Sequence, residues 1–239
     1  MRRRMTSAGE AAPTGGPRVV ATGVSKVLGE VTLLAPTSLL VEPATCLVIR
    51  GRNGIGKTTL LKILAGLIEP TSGEVRIDDR PADERDQTLR RRVATLLGAP
   101  AAYRDLTLAD HLTLIDATWG GELASCEDRV HAALDQLGIG DLAERFPHEL
   151  SSGQGQLFRL AVTLFRPSDL LILDEPEQRL DTQKRDLIGS LLRDRQRAGT
   201  TLIVASHDPR LTEAIAGEVL DLGWGPSELA DEADDTADE

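Results

Sequence analysis

Gly51-Arg52-Asn53-Gly54-Ile55-Gly56-Lys57-Thr58-Thr59 fits the pattern G-x-x-x-x-G-K-[ST], and its neighbours supply the setting in which that pattern holds phosphate. Upstream, Cys46-Leu47-Val48-Ile49 is a short apolar run. Downstream, Leu60, Leu61, Leu64 and Leu67 recur at helical spacing, so the loop is expected at a strand-to-helix turn. Gly51, Gly54 and Gly56 let the backbone curl until successive N–H groups face one anion at a helix N-terminus. Lys57 adds a full positive charge, and the Thr58 hydroxyl is placed to meet Mg²⁺. A purely structural turn requires neither, so Gly51 to Thr59 reads as a cradle for a nucleoside triphosphate.

Two further constellations extend the site. Leu150-Ser151-Ser152-Gly153-Gln154 opens a helix carrying Leu157, Leu160, Ala161 and Leu164. Ser151 and Gln154 form a capping-box pattern, but Gly153 and Gly155 each cost such a helix roughly 1 kcal/mol relative to Ala. A helix N-terminus stripped of side chains suits close approach to a phosphate. Leu170-Leu171-Ile172-Leu173 then ends in Asp174-Glu175-Pro176, and carboxylates at the carboxyl end of a parallel strand reach the ligand crevice. Asp174 is a metal ligand candidate, and Glu175 is placed to orient or deprotonate an attacking water. Ser206-His207-Asp208 follows another buried run, Thr201 to Ala205, which brings His207 to the same edge.

Composition narrows the class. A chain of 239 residues suits one α/β domain with an inserted lobe. Of the net charge of −11, residues 226–239 hold seven carboxylates and no base, whereas the first 18 residues hold four arginines and one glutamate. The middle remains mildly acidic, which argues against nucleic acid as a partner. Cys46 and Cys126 suggest no disulfide framework, and Cys46 reads as a small buried hydrophobe in a cytoplasmic chain. No apolar stretch approaches the ~20 residues that cross a bilayer, so work at a membrane would need a partner. Met1-Arg2-Arg3-Arg4 looks like a twin-arginine signal, but Ser7 to Pro17 lacks an apolar core. Residues 1–17 are expected to be a disordered leader and 226–239 a disordered acidic tail.

Between these ends, Val19 to Val41 alternates in short β-favouring runs, giving an antiparallel edge ahead of the P-loop strand. Glu74 to Asp78 alternates similarly, Arg90-Arg91-Arg92 reads as a solvated helix end, and Val93 to Leu97 as a buried parallel strand. Residues 100–155 switch to helical periodicity and form the inserted lobe. There Thr107 with Asp110 and Ser125 with Asp128 mark capping boxes, and Gly138 a helix stop. The expected fold is α/β: a P-loop core with a mostly parallel sheet, an antiparallel β edge and an inserted α-helical lobe.

With these parts in this order, residues 18–225 resemble the ATP-binding subunit of an ABC transporter. Gly51 to Thr58 looks like the family's Walker A motif, Leu150 to Gln154 like its LSGGQ signature, and Leu170 to Glu175 like Walker B with the catalytic glutamate. His207 looks like the switch histidine and Leu180-Asp181 like the end of the D-loop. The resemblance implies an ATPase using ATP and Mg²⁺, with Thr58 and Asp174 at the metal, Glu175 and His207 catalytic, and Gly51 to Thr59 and Ser151 to Gln154 on the nucleotide. It further implies head-to-tail pairing with a second ATPase subunit, so that ATP lies between one P-loop and the other signature. It also implies a separate integral membrane subunit, and a position on the inner face of the cell membrane. The spacing of Leu97 to Thr107 resembles bacitracin-type exporters and no regulatory domain is expected after residue 225, which together make export the expected direction; haem exporters also vary at the signature position held by Ser152. Readings kept beside it are a degenerate regulatory subunit of a heterodimer and an ABC ATPase without a membrane partner.

Four features depart from the family. Leu28 stands where an aromatic commonly stacks on adenine, so the base loses a π-face. Ala99 stands at the Q-loop position, and its methyl can touch neither metal nor water. Ser152 replaces a signature glycine. Gln178-Arg179 replaces Ser-Ala in the D-loop and is expected to bring bulk and charge to the dimer seam. Slow ATP hydrolysis is the expectation.

Overall fold

The computed structural model describes residues 15–98 and 102–223. Ala99, the first fourteen residues and the acidic tail therefore lie outside the described residues, and with them the expectations placed there.

The chain begins as an antiparallel hairpin, β1 (Val19–Leu28) and β2 (Val31–Val41), and continues into β3 (Cys46–Arg50) and the P-loop helix α1 (Lys57–Leu64). Next come β4 (Ser72–Ile77), the short β5 (Arg80–Pro81), α2 (Gln87–Arg92) and β6 (Val93–Leu96). The helices α3 (Leu108–Thr118) and α4 (Cys126–Gln136) occupy the segment read as an inserted lobe, and α5 (Ser152–Phe165) leads back to the core. The remainder is β7 (Leu170–Asp174), α6 (Thr182–Arg197), β8 (Thr201–Ala205), α7 (Pro209–Ile215) and β9 (Glu218–Asp221). Two sheets result: an antiparallel one in the order β2-β1-β4-β5, and a five-stranded one in the order β6-β7-β8-β3-β9. Every pairing in the second is parallel.

The apolar runs of β3, β7 and β8 are buried on both faces, as parallel strands covered by helices must be. Period-two alternation sorts them. Cys46, Val48, Leu171, Leu173, Leu202 and Val204 pack with the helical lobe and with α5, α6 and α7. Leu47, Ile49, Leu170, Ile172, Ile203 and Ala205 pack with α1 and the antiparallel sheet. Cys46 is the buried hydrophobe expected, and burial pushes its thiol up to about 12. The site therefore sits on a core fixed from both sides.

Several local expectations are corrected. Thr107 and Asp110 do form a capping box, but Ser125 makes no capping bond to α4. Its hydroxyl accepts instead from Arg129, and a 3₁₀ turn over Leu123–Ser125 runs straight into the helix. Arg92 is not a solvated helix end: only 15% exposed, its guanidinium bridges Asp78 at 2.7 Å and Asp169 at 3.0 Å. Residues 15–17, placed in the leader, are tied to the fold. Gly16 donates to the Gly199 carbonyl at 2.5 Å, and the Pro17 carbonyl accepts from the Thr201 hydroxyl at 2.9 Å. Among the described residues, no helix is long and apolar enough to cross a membrane.

Candidate functional site

The P-loop turns at the carboxyl edge of β3. Gly51, Gly54 and Gly56 adopt φ of 146°, 84° and 108°, and a Cβ at Gly56 would sit 2.4 Å from the Leu33 carbonyl oxygen. Only glycine fits there, because both the left-handed backbone and the approach of β2 forbid a side chain. Lys57 is 6% exposed, and its ammonium donates to the Gly51 and Arg52 carbonyls at 2.8 and 3.1 Å. These bonds hold the charge against the loop it serves.

β3 and β7 lie on either side of β8, which sets the P-loop opposite Asp174. The Thr58 hydroxyl donates to Asp174 Oδ2 at 2.6 Å. A hydroxyl and a carboxylate meeting at a P-loop form a hard oxygen donor set, and the pair fits a small divalent cation such as Mg²⁺. Glu175 follows at φ 46°, an uncommon conformation for a non-glycine residue and one that recurs at functional sites. Its backbone is over-determined. The N–H donates to the Ala205 carbonyl at 2.9 Å, and Gln156 Nε2 donates to the Glu175 and Pro176 carbonyls at 3.2 and 3.0 Å. Gln178 Nε2 donates to Glu175 Oε2 at 2.8 Å, and His207 Nε2 lies 3.8 Å from Oε1.

Asn53, Gly54, Gly56, Lys57, Thr58 and Thr59 line one cleft of about 640 Å³ with Asp174 and Glu175, and Leu33, Gly98, Arg159, Gln178 and Arg179 complete its walls. The signature residues Ser151 to Gln154 do not line it. They cap α5 on themselves: Gln154 N–H donates to the Ser151 hydroxyl at 3.3 Å and Ser151 N–H to Gln154 Oε1 at 2.9 Å. Ser151 and Ser152 are exposed, and a Cβ at Gly155 would meet nothing within 4 Å. Leu28, at the tip of the hairpin, is 68% exposed.

The D-loop expectation changes. Gln178 turns toward Glu175, and Arg179, at φ 65°, joins the cleft wall. Sequence reasoning also missed Arg159 and Gln156, because a helix pattern marks which residues are polar without saying which strand end they meet. Glu177 was missed too. It is 7% exposed, with Oε1 accepting from the Ser206 hydroxyl and Oε2 without a partner among the described residues.

A P-loop facing a carboxylate pair across one parallel sheet, with a capped, glycine-bearing helix start held outside the cleft, defines the ATP-binding-cassette fold. The family model described as "ABC transporter" matches residues 34–178, and the chain belongs to that family. It is 32% identical over 208 residues to the Fe(3+) ions import ATP-binding protein FbpC of Brucella melitensis, covering 84% of this chain and 57% of that protein. It is 34% identical over 209 residues to the glucose import ATP-binding protein GlcV of Saccharolobus solfataricus (84% and 59%). With the Nod factor export ATP-binding protein I of Paraburkholderia xenovorans it shares 33% over 184 residues (77% and 60%). The chain thus spans less than two thirds of each of these relatives. Among solved structures it resembles the cassette MJ0796 in a dimeric post-hydrolysis state bound to ADP and Pi, with TM-score 0.76, 25% identity and coverage of 85% of this chain and 94% of that one.

Proposed function

We propose that the chain is the ATP-binding and ATP-hydrolysing subunit of a membrane transporter, acting at the inner face of the cell membrane. Its partners are a separate integral membrane subunit and a second ATPase subunit. The observation that carries the proposal is the Thr58–Asp174 contact at 2.6 Å, in the cleft that also holds Lys57 and Glu175. P-loop amides and Lys57 would bind the β- and γ-phosphates. Thr58 and Asp174 would hold Mg²⁺, which draws charge from the transferred phosphoryl group. Glu175 takes a proton from the attacking water, and His207, on its free Oε1 side, steadies the terminal phosphate. Ser151 to Gln154 complete the cleft of a second subunit, and that subunit's signature completes this one. ATP then favours the closed pair because only closure offers both sets of donors.

The test is Mg²⁺-dependent ATP turnover by the protein assembled with its membrane partner. Glu175→Gln is expected to keep ATP binding and lower turnover by roughly 10²–10⁴-fold, the usual contribution of a general base. Unchanged turnover would overturn the assignment. Export is the proposed direction, on the spacing of Leu97 to Thr107. The relatives include proteins named for import and for export, so ATP-driven flux in sealed vesicles of known orientation decides it. A second reading, an ATP-binding but non-hydrolysing member of a heterodimer, is favoured by the exposure of Leu28 and by the Gln178 bond that engages Glu175. ATP binding without turnover in any pairing would select it.

A further inference from the structure

Arg159 leaves α5 about one and a half turns beyond the signature. It lines the P-loop cleft of its own chain beside Lys57, Thr58 and Asp174. Its guanidinium is anchored rather than paired. One terminal nitrogen donates to Gln156 Oε1 at 3.1 Å and the other to the Gly98 carbonyl, while Nε is buried with no hydrogen-bond partner among the described residues. Among the described residues no carboxylate lies within ion-pair distance of it. Burial, and then repulsion from Arg179, push its pKa down, only partly opposed by Asp174.

A part-buried cation without a counter-ion is costly unless an anion completes it. The anion this cleft is built to receive is a polyphosphate. Lys57 is already drawn to the loop carbonyls, whereas Arg159 stands on the side of Asp174 and Gly98. The proposed base Glu175 lines the same cleft, so a terminal phosphate held at Asp174 beside it would share that wall with Arg159. The anchor is preorganised as well, because Gln156, which accepts from Arg159, donates to the Glu175 and Pro176 carbonyls.

We propose that Arg159 is a γ-phosphate ligand supplied in cis by the signature helix, so that the cleft itself discriminates ATP from ADP. The proposal rests on the ATPase reading above. A guanidinium fork matches two phosphoryl oxygens, and engaging it exchanges the Gly98 carbonyl for the ligand. The position of α5 then responds to the terminal phosphate before any second subunit closes. The competing role is a structural clamp joining α5 to Gly98.

The test compares equilibrium binding of ADP and of a non-hydrolysable ATP analogue, each with Mg²⁺, to the full-length protein and to Arg159→Ala and Arg159→Lys. Arg159→Ala is expected to weaken the ATP analogue by roughly 10–100-fold, as a lost charge-assisted bond does, and to leave ADP unchanged. Arg159→Lys should recover part of the loss. Unchanged ADP affinity also shows that the variant is folded. Equal weakening of both nucleotides, or of neither, would overturn the proposal in favour of the clamp. Wild-type protein that binds neither nucleotide would remove the ATPase reading as well. Wild-type protein that hydrolyses ATP, beside an Arg159→Ala variant keeping the same nucleotide preference, would remove only the role of Arg159.

Discussion

Replacing Glu177 with Gln should stabilise the protein at neutral and alkaline pH and leave it unchanged in acid. The side chain is 7% exposed, and Ser206 satisfies one oxygen while the other has no partner among the described residues. Burial pushes the carboxyl above its usual 4.5. The Ser206 bond pulls it back only in part, and Asp208 and Glu175 add repulsion. Between the unfolded pKa and the raised folded one, the native state holds a proton that the unfolded chain has lost. Stability therefore falls as pH rises through that window, and above the folded pKa the cost of burying the anion is complete. Asp208 faces the same loop and is paired with Arg185 at 3.1 Å in both proteins. Stranding a buried acceptor costs about 1–3 kcal/mol, and more when it is charged. A gain of that size in a domain of this length corresponds to a Tm rise of roughly 3–10 °C. The assay is thermal unfolding of wild type and Glu177→Gln, free of nucleotide, from about pH 4.5 to about pH 8.5. The Tm difference should open with rising pH and then level off. A difference independent of pH, or a variant less stable throughout, would refute the buried-anion argument.

Gly56→Ala should abolish nucleotide binding, because the new Cβ would strike the Leu33 carbonyl at 2.4 Å in a left-handed backbone; equilibrium ATP binding measures it. Gly54→Ala meets nothing within 4 Å of its Cβ in the chain itself, so its left-handed backbone should cost about 1–2 kcal/mol in a measured Tm loss without the clash that Gly56→Ala creates. Gln178→Ala frees Glu175 Oε2 and should lower turnover roughly tenfold with ATP affinity unchanged, read as kcat against Kd. Unchanged turnover there would show that the Gln178 bond does not orient the base.

The strand ends were legible because buried parallel strands write themselves as uninterrupted apolar runs, and the P-loop because its glycines answer a backbone need that few other sites share. Asp174 and Glu175 could be placed at the crevice before any coordinates, since a parallel strand delivers its carboxyl end to the ligand. The strand order β6-β7-β8-β3-β9 was not legible, because periodicity carries no information about which strands pair. Side-chain direction was lost for the same reason. Gln178 and Arg179 looked like a charged seam, and only the positive φ values at Glu175 and Arg179 turn that stretch back on the cleft. Ser125 misled because a Ser three residues before Asp128 is a capping pattern only if the preceding turn leaves the helix amides unpaired, and here a 3₁₀ turn runs on into α4.

The signature helix is joined to the chemistry by a short physical chain. A Cβ at Gly153 would lie 3.0 Å from the Arg179 carbonyl, so the D-loop backbone rests on the signature itself. From the same loop Gln178 reaches the Glu175 carboxylate, and from two residues beyond the signature Gln156 holds the Glu175 and Pro176 carbonyls. A displacement of α5 would thus reach the proposed base by two routes, the Gln156 hydrogen bonds and the packing of Gly153 on the Arg179 carbonyl beside the Gln178 bond, while Ser151 to Gln154 do not line their own cleft. That cleft gathers Lys57, Arg159 and Arg179 against Asp174 and Glu175, an excess of cations that a triphosphate offsets. A nucleotide bound here would therefore draw on α5 from one side through Arg159. A second subunit's nucleotide would draw on the same helix through Ser151 to Gln154. Under the proposed roles one rigid helix would bear both pulls, so occupancy of either site would be felt at Glu175 and would couple the two subunits without any element dedicated to that purpose.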